Sequence, residues 1–152
     1  MAIVIAVAGC ATTEPSLLGL APVKQNAAEA FLFTKYRALG ARDCKIEVSI
    51  DGIPAGTLSN SLPGPFFSVD LTPGNHQLLA INDKLCDNSP SNLPVDFHVQ
   101  GGQRTFILVD DQSVNGLLIP DQVKAVVVDE KTADMDLREV LPVYRSRNAG
   151  RY

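Results

Sequence analysis

The residues of this chain whose chemistry reaches beyond packing are three cysteines, two histidines and two pairs of adjacent carboxylates. Cys10, Cys44 and Cys86 can supply a nucleophile, a metal ligand, a disulfide or an attachment point, and their odd number leaves one to be explained outside any pairing. His76 and His98 titrate near neutral pH, which suits a general base or a metal ligand. Each stands alone on its own stretch of chain, and a lone histidine reads as structural. Asp110-Asp111 and Asp129-Glu130 would bind Ca²⁺ or perform acid/base work if carboxylates converged across about 5–10 Å. Adjacent acids at the ends of apolar runs read instead as solvated. No closely spaced Cys/His ligand pair occurs, and no G-x-S-x-G, Walker-type, G-x-G-x-x-G or HExxH sequence is present. The sequence therefore assigns no catalytic residue, no metal and no cofactor.

Cys10 is explained by what precedes it. Met1–Cys10 reads MAIVIAVAGC, with an uncharged apolar run from Ile3 to Ala8. That run is far too short for a bilayer, which takes roughly 20 apolar residues, and it fits the core of a signal peptide. Val7-Ala8-Gly9-Cys10 resembles the lipobox of bacterial lipoproteins: an aliphatic residue, two small residues and the cysteine that receives lipid. The resemblance implies cleavage before Cys10 and acylation of its thiol. Ala11 to Ser16 is small and polar, like a tether, and Ala11 in place of Asp leans the expected address toward the outer membrane, facing the periplasm. No Lys or Arg precedes Lys24, so the expectation is a signal peptide truncated at its start. The same ten residues also fit a buried β-strand with a core cysteine.

The elements that would position these groups are short strands between turns. Lys45–Ile50 alternates, with Ile46, Val48 and Ile50 on one face, and Asp51-Gly52 then marks a tight turn with Ala55–Leu58 returning. Further strands are expected at about Ala30–Arg37, Phe66–Leu71, His76–Leu85, Val95–Gln100, Arg104–Asp110 and Lys124–Asp129. Pro73-Gly74 and Gly101-Gly102 supply turns between them. Asp136, followed three residues later by Glu139, predicts a capping box and a short helix over Asp136–Val140. The fold class is mainly β, an antiparallel β-sandwich of about seven or eight strands with a short C-terminal helix.

Composition agrees. The chain has 152 residues, 45% hydrophobic and 20% charged, enough for one packed domain. Its net charge of -4 argues against a nucleic-acid partner, because phosphate binding needs a basic face. The expected organisation is a signal peptide over 1–9, lipidated cysteine and tether over 10–28, the sandwich with its helix over 29–145, and a basic tail over 146–152.

Ile46–Gly52, Gly56-Thr57-Leu58 and Phe67–Leu78, with its Pro-Gly-x-His turn, are similar to the DUF2846 group of bacterial lipoproteins and to PEGA-type modules. The resemblance covers about half the chain, from Phe31 to Val109, and rests chiefly on turn residues. It implies an extracytoplasmic β domain and carries over no catalytic residue. With Cys10 lipidated, Cys44 and Cys86 are left to pair. They flank two strands, and antiparallel neighbours would bring both to one end of a sheet. A disulfide closing about 40 residues would then contribute on the order of 3–4 kcal/mol; two separate thiols are the alternative. Phe66-Phe67 follows a Pro/Gly loop, so one ring must leave the core, either to meet a partner or to pack beneath a loop or the helix. The function expected is a membrane-anchored, non-catalytic binding or structural module of the cell envelope, with an envelope protein as partner. Alternatives are an accessory subunit of a secretion or transport complex, an envelope hydrolase, and a cytosolic β domain without a signal peptide.

Overall fold

The computed structural model describes residues 18–35, 45–59, 66–82, 94–112 and 122–138. Within them the chain forms eight strands and then a helix: β1 (Ala28–Phe33), β2 (Lys45–Ile50), β3 (Ile53–Ser59), β4 (Phe66–Leu71), β5 (Gly74–Asn82), β6 (Val95–Val99), β7 (Arg104–Gln112), β8 (Gln122–Val128) and α1 (Glu130–Leu137). Two four-stranded sheets result, ordered β4-β1-β7-β8 and β3-β2-β5-β6. All pairings are antiparallel except that of β1 with β7, which is parallel. The mainly β, sandwich-like fold with a short C-terminal helix follows the sequence expectation.

The β2–β3 hairpin shows why these residues form these elements. Ile46, Val48 and Ile50 are buried while Lys45 and Glu47 are exposed, so the period of two in the sequence becomes one dry face and one wet face. Ile50 pairs with Ile53 across a two-residue turn in which Asp51 has φ 53° and Gly52 has φ 75°. Two positive φ values give the turn whose twist matches that of the strands. Gly adopts them without cost and Asp tolerates them.

Between the sheets lies a core that includes Leu32, Ile46, Leu58, Leu78, Ile107 and Val109. Each such aliphatic side chain contributes about 1.5–3 kcal/mol by leaving water. A second cluster sits on the outer face of the first sheet, where Phe31, Phe33 and Phe106 are covered by Leu18 and by Ala133 and Leu137 of α1. β1 is therefore covered on both faces, which accounts for its unbroken buried run from Ala30 to Phe33.

Most strand ends differ from the sequence expectation by a few residues, and two of the differences have a clear physical cause. β1 begins at Ala28 and takes in Ala28-Glu29-Ala30, helix formers by propensity, because β4 and β7 pair with them on either side. The helix begins six residues before Asp136, which lies inside its last turn; Asp129 is the N-cap, extended at φ -78° and ψ 163°, and its carboxylate accepts from the Thr132 N–H at 2.8 Å. This placement puts Ala133 and Leu137, four residues apart, onto the aromatic face of the first sheet. Residues 139 and 140 lie outside the described residues.

The sandwich has two unlike ends. At one, the chain reverses in short turns: Asp51-Gly52 between β2 and β3, Thr72-Pro73 between β4 and β5, and Gln100–Gln103 between β6 and β7. At the other end lie the strand ends that border residues 36–44, 60–65, 83–93 and 113–121.

Candidate functional site

A set of side-chain hydrogen bonds between distant segments lies at the short-turn end. The alternation along β5 turns His76, Leu78 and Ala80 toward the other sheet, and His76 is the one at the rim. Its side chain is only 8% exposed. Nδ1 lies 2.7 Å from Oδ2 of Asp51, in the β2–β3 turn, and Nε2 lies 2.8 Å from the carbonyl oxygen of Thr72, before β5. The other carboxylate oxygen of Asp51 accepts the Gln77 N–H at 2.9 Å, and the Asp51 N–H donates to the Gln77 carbonyl at 2.8 Å. Phe97, the cross-strand partner of His76, covers the imidazole with ring centroids 5.7 Å apart. The bond to Asp51, and then that to Thr72, raise the His76 pKa against the opposing effect of burial. The same bond to His76, followed by the Gln77 N–H, lowers that of Asp51.

On the solvent face of β5 and β6, Asn75 bonds His98 at 2.7 Å and Gln77 bonds Asp96 at 3.0 Å. Around the corner, an open groove of about 350 Å³ runs past His98, Gln100, Gln103, Arg104, Thr105 and Asp129. Its floor is committed to structure. Arg104 makes a fork to Glu29, Nε to Oε1 at 2.9 Å and Nη2 to Oε2 at 2.8 Å, and Nη2 also reaches the Ala21 carbonyl at 2.8 Å. Asp129 caps α1.

No family model matches this chain, and no curated protein matches it.

The residues singled out from the sequence are dispersed. Cys10, Cys44 and Cys86, with the whole of 1–17 and the tail 146–152, lie outside the described residues. The strands flanking the latter two cysteines are antiparallel neighbours, with Ile46 opposite Asn82. Asp110 and Asp111 sit opposite Lys124 and Val123, six and seven residues along β7 from Arg104, so about 20 Å separates them from Arg104 and at least about 13 Å from Phe106, the nearest β7 residue lining the His98 groove. Among the described residues, no three His, Cys, Asp or Glu side chains gather where a metal ion could be held. Phe66 stacks on Phe31 with centroids 5.6 Å apart and planes at 17°. Phe67 points into the core between the sheets, its ring filling the space above Gly56. Both rings are half-buried, so what either offers a partner is its remaining edge.

Sequence reasoning missed the His76–Asp51 contact, which joins residues 25 apart. Its signal was nonetheless present as an Asp-Gly turn and a Pro-Gly-x-His turn on strands that turn out to be neighbours. Chemically the arrangement binds turn to turn. Both ring nitrogens of His76 are engaged within the fold, one by Asp51 and the other by Thr72.

Proposed function

We propose that this chain is a lipid-anchored module of the cell envelope, held on a membrane through Cys10, with a binding or structural rather than catalytic role. The observation that carries this reading is Val7-Ala8-Gly9-Cys10 behind an uncharged apolar run. The likeness of Ile46–Leu78 to the DUF2846 and PEGA-type patterns supports it, as does a β-sandwich whose short-turn end is braced by side-chain bonds. Among the described residues no helix is long and apolar enough to cross a membrane.

Leu18 is already buried against Phe31 and Phe33, only eight positions after Cys10. Fully extended, eight residues reach at most about 28 Å. The anchor thus holds the sandwich within one domain's breadth of the bilayer, where the partner is another envelope component. Cys44 and Cys86 form a disulfide in this reading, and the Ile46–Asn82 register supports it by bringing their flanking strand ends together.

The deciding experiment is the intact mass of the protein from the membrane fraction of its native host, wild type beside Cys10→Ala. The expected wild-type species lacks residues 1–9 and carries acyl mass, and the variant lacks that mass and leaves the membrane. A soluble, unacylated wild type that still begins at Met1 overturns the proposal. Thiol alkylation of the same preparation without reductant checks the bridge: Cys44 and Cys86 are expected to resist labelling until reduced.

A further inference from the structure

We propose that His76 is a proton-operated clamp joining two turns at one end of the sandwich: as imidazolium it holds both the Asp51 carboxylate and the Thr72 carbonyl, and as neutral imidazole it must release one. The inference rests on donor counting and is independent of the lipid anchor. A carboxylate and a carbonyl can only accept, so both ring nitrogens must donate, and an imidazole carries two N–H groups only when protonated. The contacts are short, at 2.7 and 2.8 Å, and the His76 side chain itself is only 8% exposed.

The groups around the ring leave that assignment intact. From the β2–β3 turn comes the Asp51 carboxylate, the charged group in contact. From β6 comes the face of Phe97, while Asp96 and His98 point to the opposite side and bond Gln77 and Asn75. From the β4–β5 turn comes the Thr72 carbonyl alone. Lys45 and Glu47 of β2 sit at exposed positions of the outward-facing register, and β3 contains no titratable residue.

Loss of the proton has a directed outcome. The bond to a charged acceptor is the stronger, so the neutral ring keeps Nδ1–H on Asp51 and turns the lone pair of Nε2 toward the Thr72 oxygen. Two lone pairs face each other and the 72–74 turn withdraws. That turn is the crossover from β4 in one sheet to β5 in the other, and Pro73 lies against the Gly101 turn, which is the second crossover at this end. The clamp thus governs how tightly the two sheets are joined at the short-turn rim. It is closed in mildly acidic surroundings and open in alkaline ones.

The test is an NMR pH titration of the full chain from pH 5 to 9, in a His98→Gln background that leaves one histidine. At low pH both ring nitrogens of His76 are expected to carry protons, with a midpoint above 6.5. The amides of Asp51, Gly52, Thr72 and Gly74 should shift with the same midpoint. The protection factor of the Gly74 amide should fall about fivefold across it, the equivalent of one hydrogen bond. Asp51→Asn removes the charged acceptor and should bring the midpoint down. A neutral ring at pH 6, or a midpoint above 6.5 with turn amides that do not move, overturns the clamp. The wild-type ring signals decide the matter even if a variant fails to fold.

Discussion

At the scale of single residues, the closest constraint is Gly56. A Cβ there would lie 2.9–3.1 Å from three atoms of the Phe67 ring, tighter than nearly all real contacts, so the ring, packed against the core, would have to shift. Gly56→Ala is expected to destabilise the domain by roughly 1–3 kcal/mol in urea denaturation, and adding Phe67→Leu should recover part of that loss by freeing the space. A double variant no more stable than Gly56→Ala alone would sink this account. The Arg104–Glu29 fork is the second constraint, with side chains 12% and 13% exposed. Arg104→Met leaves a carboxylate stranded beside β1 and should cost roughly 2–3 kcal/mol, somewhat below the loss for a fully buried pair. Pairing it with Glu29→Leu should cost less than Arg104→Met alone, because no orphan charge remains. Thermal melts of the three variants check the order.

Among elements, the strands were legible and the helix was displaced, for one reason. A strand in a half-wet sheet writes its burial into every second residue, as Lys45–Ile50 does, and the Asp-Gly pair fixes the hairpin register. A short helix writes far less. By sequence Asp136 with Glu139 offers a cap as readily as Asp129 with Thr132, and the aromatic face of Phe31, Phe33 and Phe106 favours the turn that starts at Asp129. Likewise Ala28-Glu29 stays outside the strand expected from Ala30 until its two sheet neighbours are known. The polar end was illegible as a site because its contacts join distant segments: 25 residues between Asp51 and His76, 75 between Glu29 and Arg104. If packing rather than capping holds α1, Leu137→Ala should cost about 2–5 kcal/mol, whereas Asp129→Ala should only fray the first turn. Amide exchange separates the two: the cap variant loses protection near Thr132, and the packing variant loses it along the helix.

For the whole molecule, the titrating groups set a pH window of stability. The His76 pKa is raised in the folded state, so its contribution is complete below about 6.5 and is lost as pH climbs through the higher folded value. Asp51 and the helix cap Asp129 are lowered, so theirs is complete above about 3.8 and is lost as pH falls through the lower folded values. Melting temperatures measured from pH 3 to 9 should therefore plateau between about 4 and 6.5 and decline on the alkaline side in wild type, and that alkaline decline should vanish in His76→Gln. The parallel pairing of β1 with β7 imposes an order on assembly. β2, β3, β5 and β6 can zip together from residues 45–99, but β1 has no neighbour between its own end and β4, and its second neighbour is made 75 residues after it. Closing so long a loop is slow, and a chain emerging N-terminus first holds one edge of β1 unpaired until β7 arrives. The second sheet can therefore be complete while the first still waits for its seventh strand.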